Sequence, residues 1–249
     1  MKTRWHGLLI ALFLIAFPSI SYAADQVPAP STPQASSTDH SHANKSTNFK
    51  GAWVVGLQAG PTGAPQTMFT NFLGSNANLV SGVGPYVSAN ALYGVWSNVL
   101  IGLDIDYNSL PVNVNTTSFN LGNTSTVSLL PTIEVRTDDD HNFSFYASLG
   151  LGVNFNNFSN SSSLNALCSG VTCAINPSDS FAARLGLGMD YFVTQNFALN
   201  TELGYLFNYT SASLMVTAPG IVLTTGNGTV DASTFFWLFG FHYRSWIGL

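Results

Sequence analysis

Charge is what this chain has least of. Only 8% of its 249 residues are Asp, Glu, Lys or Arg, against about 25% in an average soluble domain, and no lysine follows Lys50. A soluble surface of this size normally carries both signs in quantity, and nucleic acid is bound through basic patches. The scarcity argues against both. Long apolar runs are also missing after the N-terminal segment, which excludes helical membrane spans of about 20 residues. The two cysteines have neither C-x-x-C spacing nor a neighbouring histidine in sequence, which disfavours a metal or redox role. No cofactor and no metal site is expected.

At the N-terminus, Lys2 and Arg4 precede an apolar run from Leu8 to Phe17, then Pro18 and the small-residue site Ser21-Tyr22-Ala23. This is the layout of a secretory signal, expected to span 1–23 and to be removed after Ala23. Residues 24–49 are rich in Pro, Ser, Thr and Ala without periodicity and read as a flexible, disordered linker. His40 and His42, beside a single Asp, are too few for a ligand set. Residues 50–249 are long enough for one large β domain.

What is present in quantity is alternation. Trp53, Val55, Leu57 and Ala59 fall on one face of a strand, as do Val87, Ala89, Ala91 and Tyr93. The same period runs through Ile101–Tyr107, Val127–Val135, Phe145–Phe155, Phe181–Tyr191 and Phe197–Phe207. It ends with Phe235, Trp237, Phe239, Phe241 and Tyr243, a continuous aromatic face that needs an apolar partner. Eight runs of about ten residues match tilted strands crossing a bilayer. Short connections at 94–98, 137–142 and 192–196 alternate with long ones at about 61–83, 109–125, 156–179 and 210–231. The predicted fold is all-β: an eight-stranded antiparallel up-and-down transmembrane β-barrel behind a disordered N-terminal segment.

The interleaved positions carry the charge. Arg136, Arg184 and Arg244, the arginines after the signal, all sit on the polar parity, with Asp104, Asp106, Glu134, Asp190, Glu202 and His242. A basic residue on the lipid face costs about 2–4 kcal/mol at the bilayer midplane, so these nine residues are expected to line the lumen as a polar network. Tyr146, Leu206, Phe236 and Leu238 share the inward parity and, with the network, should plug a barrel only just wide enough for side chains. Aromatics mark both strand ends. Tyr93, Trp96, Phe143, Tyr191, Phe192, Phe197, Tyr243 and Trp246 should form a girdle at one rim. Tyr107, Phe155, Phe181, Phe207, Tyr209 and Phe235 should form the other. Pro131, inside the fourth run, removes a ladder donor and suggests a local bulge. Cys168 and Cys173 lie in the third long loop of an exported chain and read as a disulfide. His242 and Ser245 have opposite parity, so a base–nucleophile pair is disfavoured.

The stretches "FYASLGLGVNF" (145–155), "RLGLGMDYFVTQNFALNTELGYLF" (184–207) and the aromatic final strand resemble the small bacterial outer-membrane β-barrel proteins, the OmpA-barrel, OmpX and OmpW-like group. The resemblance covers roughly 50–249 and departs in the last residue, Leu249, where the group usually ends in Phe or Trp. It implies the outer membrane of a Gram-negative-type bacterium. It also implies outer-membrane lipid, lipopolysaccharide and the barrel-assembly machinery as partners, and a monomer that is not an enzyme. The role expected first is structural or surface-interacting, carried by the four long loops over a plugged lumen. An OmpW-like conduit for small hydrophobic molecules and a lipid-modifying barrel enzyme are the alternatives. A conduit requires an apolar inner wall near one rim, and an enzyme a converging His/Ser/acid set.

Overall fold

The computed structural model describes residues 48–64, 67–70, 79–114, 119–137, 142–218 and 221–246. The expected signal, most of the expected linker and the departing Leu249 lie outside them. The strands are β1 (Ala52–Gly63), β2 (Thr67–Thr70), β3 (Leu79–Ser81), β4 (Val83–Gly94), β5 (Val99–Val114), β6 (Phe119–Arg136), β7 (Phe143–Asn160), β8 (Thr172–Pro177), β9 (Ser180–Phe192), β10 (Phe197–Ala218), β11 (Ile221–Asp231) and β12 (Thr234–Trp246); a short helix, α1, spans Ser162–Leu167. Eight of the strands close a barrel in the order β1–β4–β5–β6–β7–β9–β10–β12, and β12 pairs back with β1, antiparallel throughout. Closure leaves no open edge at membrane depth.

The period of two survives intact. On β12, Phe235, Trp237, Phe239, Phe241 and Tyr243 are 41–57% exposed while Phe236, Leu238, His242 and Arg244 are buried. The outward residues of β1, β5, β6, β7, β9 and β10 repeat this, with Leu57, Ile101, Ile133, Leu149, Leu187 and Leu203 all exposed. Charges are inside and apolar groups outside, the inverse of a soluble domain. Such a surface is matched to lipid, and the molecule is a membrane-spanning β-barrel. Trp96, Phe143, Tyr191, Tyr243 and Trp246 face outward near the short-turn rim, and Tyr107, Phe155, Phe181, Phe207, Tyr209 and Phe235 toward the opposite one. Phe192 departs from this pattern. It turns inward and packs against Phe49, with ring centroids 6.4 Å apart, because its parity is that of Asp190 rather than Tyr191.

The described parts of the long connections are largely strand rather than loop. β5 and β6 run on to Val114 and back from Phe119 in one hairpin. β10 continues past the membrane band to pair with β11 and β8, while β2 and β3 link β11 to β5. These segments are rich in Thr, Ser, Asn and Gly, so no apolar alternation reveals them; backbone pairing extends the hairpins regardless. Within the third connection α1 begins at an N-cap, the Ser161 hydroxyl accepting from the Leu164 N–H, and Cys168 is bonded to Cys173. Pro131 produces no bulge. It stays in register opposite Leu103, and the ladder to β7 merely lapses between Leu129 and Thr132 without a shift. One donor is lost, but no residue is inserted.

Candidate functional site: the layered lumen

From the short-turn end upward, the lumen is built in layers. The floor is apolar: Phe49, Val54, Leu92, Leu100, Phe192 and Ala198 pack together, all buried. Phe49 precedes the first strand, yet it is tied in by its N–H to the Ser97 carbonyl at 2.9 Å and by its own carbonyl accepting from Ala52 at 2.9 Å. Its ring lies between the guanidinium groups of Arg136 (4.8 Å) and Arg244 (5.0 Å). Residue 49 therefore belongs to the barrel floor, although the expected linker, 24–49, included it.

Above the floor, Arg136 donates from Nε to Glu134 at 2.5 Å and from NH1 to Asp190. Asp190 also meets His242 Nδ1 at 2.9 Å. If His242 donates from Nδ1 there, Nε2 is left to accept from Asn90 Nδ2 at 3.3 Å. Asn200 donates to Asp190 at 2.6 Å and to the Tyr146 hydroxyl at 2.8 Å. Tyr146 in turn donates to Glu202 at 3.2 Å, linking this cluster to the next. Inward glycines make the room: a Cβ on Gly188 would lie 2.2 Å from the Tyr146 ring, and one on Gly186 would lie 1.9 Å from Glu202.

The second cluster centres on Arg184. Its guanidinium meets Asp104 at 2.7 Å, Glu202 at 2.9 Å and Asp106 at 3.5 Å. Only Glu202 is on an adjacent strand; the two aspartates reach it from β5, across the lumen. Thr132 donates to Asp104 at 3.1 Å and Tyr86 to Asp106 at 2.7 Å. Eight of the nine expected network residues thus fall into these two clusters. Arg244 stands apart. It donates to the Gln195 carbonyl at 2.7 Å and lies 4.4 Å from the Trp246 ring, because its position near the end of β12 places it at the mouth, below the acids.

Tyr86, Leu130, Ala182, Leu206, Phe236 and Leu238 then form a buried apolar layer. Above it comes a layer that sequence reasoning missed, made only of amides and hydroxyls. Asn156 and Asn208 exchange side-chain hydrogen bonds at 2.7 and 3.2 Å. Thr126 donates to Asn156 at 2.8 Å, Ser180 to Asn208 at 2.7 Å, and Ser128 to Asn154 at 2.6 Å. The signal was available as Asn, Ser and Thr on the inward parity, but uncharged groups do not stand out in a polar loop. The outermost layer is apolar again: Val112, Ile175, Ala212, Val230 and Ala232, with Leu121, Phe158 and Leu164 packed against them. Two open grooves of about 800 and 870 Å3 lie along the outer apolar band, lined mainly by its apolar side chains. His242 and Ser245 lie on opposite faces of β12, the histidine buried and the serine only partly so. Among the described residues, no group of three or more His, Cys, Asp or Glu is disposed to hold a metal ion.

No family profile and no curated protein sequence matches the chain. Solved structures do. The outer membrane protein OprG from Pseudomonas aeruginosa superposes with a TM-score of 0.65 at 15% identity, over 80% of this chain and 97% of that one. The outer membrane protein AlkL in lipid bilayers superposes with a TM-score of 0.54 at 15% identity, over 91% of this chain and 99% of that one. The fold is that of the small eight-stranded outer-membrane barrels.

Proposed function

We propose that this barrel is a conduit that admits small apolar molecules at its outer mouth while its lumen stays closed to water and ions. The observation that carries this reading is the division of the lumen. Apolar side chains fill the end that bears the long hairpins, around a void of only about 10 Å3 that a guest would have to widen, and buried ion pairs fill the end below. An apolar guest loses nothing on leaving water for the first compartment, but passing the second would strand charges that hold one another. Exit must then be sideways, through the wall. The outer half of β1 is a weak seam. Pro61 faces Pro85 of β4, so neither supplies an N–H, and the ladder to β12 lapses between Ala59 and Thr62. The surrounding outer-membrane lipid, with its lipopolysaccharide leaflet, would receive the guest.

The test uses the purified barrel in lipid nanodiscs and planar bilayers. An apolar fluorophore such as phenylnaphthylamine should bind saturably and be displaced by small hydrocarbons, and Ala212→Asp should abolish the saturable component. Bilayers should show no conductance or only small, rare openings. Large ohmic steps, or binding unchanged by Ala212→Asp, would overturn the conduit. A surface-interaction role through the outer hairpins is the second reading. The continuation of β10 into pairing with both β8 and β11 favours it, because it makes that end a stiff platform.

A further inference from the structure

Past the membrane band the barrel continues as a second tier, and backbone ladders run round most of its circle. β8 pairs with β10, β10 with β11, β11 with β2, β2 with β3 and β3 with β5, after which β5, β6 and β7 follow in turn. The circle stops between β7 and β8. The β7–β9 ladder ends at Asn154 and Ser180, and β8, the chain just before β9, pairs with β10 alone. Among the described residues no ladder joins β7 to β8. Asparagines of β7 stitch the seam instead. Asn156 donates through Nδ2 to the Ser178 carbonyl at 2.9 Å, and its backbone N–H reaches the Asp179 carboxylate at 3.3 Å. Asn160 donates to the Cys173 carbonyl at 2.7 Å. Pro177, on the facing strand, has no N–H to add. Parting the wall here breaks three hydrogen bonds, one of them long, where other seams hold a run of backbone pairs. Segments held by so few bonds are the ones that open locally.

We propose that the β7–β8 seam is the entrance to the outer apolar compartment, and that β8, tied to α1, is a door that swings on its ladder to β10. The small void of the compartment lies against this seam and touches both edges, Asn156 and Phe158 on β7, Ile175 and Pro177 on β8. A small apolar molecule passing between Phe158 and Ile175 would meet apolar surface on both sides and widen that void. α1, in the connection from β7 to β8, limits the swing. Ser161 fastens its start to β6 through the Asn120 carbonyl at 2.6 Å, Leu164 packs against the compartment, and the Cys168–Cys173 bond fastens its end to β8. The identity of the guest rests on the conduit reading; the opening of the seam does not.

The experiment reads the door first without a guest, in nanodiscs. Ala212→Cys places a free thiol in the wall of the void, at a position only 2% exposed, and its modification by N-ethylmaleimide is followed by mass. Adding Asn160→Ala should speed the modification about 2- to 10-fold, the weight of one hydrogen bond. Entry is then read with phenylnaphthylamine in barrels without the reporter thiol. Asn160→Cys with Cys168→Ser offers Cys173 a partner across the seam; once oxidised, this variant should admit the dye far more slowly than the parent, and dithiothreitol should restore the rate. A thiol modified equally fast with and without Asn160→Ala overturns the door. Dye entering an oxidised, stapled barrel at the parent rate overturns the entrance and leaves the conduit reading standing. No saturable dye binding in the parent removes the conduit reading instead, and thiol reactivity then decides the door alone. If Ala212→Cys fails to refold, Val230→Cys, 4% exposed in the same wall, replaces it.

Discussion

The two ends of the lumen solve the same problem with different chemistry. Below, five acids, two arginines and a histidine are buried in the lumen and pair with one another. Above, the same inward positions carry asparagine, threonine and serine, and then aliphatic groups. Both fillings close a barrel of eight strands, but they differ in what disturbance costs. A buried ion pair that loses one partner leaves a charge behind, whereas an amide that loses its partner leaves only a dipole. The lower half should therefore be rigid and intolerant, and the upper half adjustable. That is the division a protein needs if something enters at one end and nothing crosses the other.

Arg184→Leu should break the lower half most severely. It strands three carboxyl groups at once, and removing one partner of a buried pair costs roughly 3–5 kcal/mol. Urea unfolding in detergent, read by the gel shift between folded and boiled forms, should show a large fall in resistance, with Arg184→Lys retaining more. Equal midpoints for both variants and the parent would mean that the guanidinium is solvated and the lower plug open.

A test of the upper half is Asn208→Ala. Its amide serves Asn156, Thr126 and Ser180, so the loss should be about 1–3 kcal/mol, the cost of unsatisfied buried polar groups. That is smaller than for Arg184→Leu by the same assay. A loss as large as that of the arginine would erase the contrast between the two halves.

Smallest is the outer disulfide. Cys168→Ser with Cys173→Ser should cost no more than about 2 kcal/mol, the chain-entropy value for so short a loop. The membrane band should keep its gel shift. The change should appear as faster proteolysis near α1. A variant that no longer inserts would show that this loop organises the barrel rather than finishing it.

The alternation in "FFWLFGFHYRSW" already assigns every residue of β12 to lipid or lumen, because side-chain direction in a strand has a period of two and needs only local information. The same reasoning placed Asp104, Glu134, Arg136, Arg184 and Asp190 inside, and the scarcity of charge elsewhere made lipid the partner of the outer face. Which acid meets which arginine was not legible. Asp104 and Arg184 are 80 residues apart and face each other only once shear and closure fix strand heights across the lumen. Height likewise kept Arg244 out of the acid clusters, although its parity matches theirs. The outer strands were hidden because backbone pairing needs no apolar pattern. Phe49 was hidden because one aromatic at the end of a polar segment acquires a place only when Arg136, Arg244 and Phe192 converge around it. Sequence alone determined the direction of each strand side chain, a local property of the backbone; tertiary structure decided height and partner, which exist only after the sheet has closed on itself.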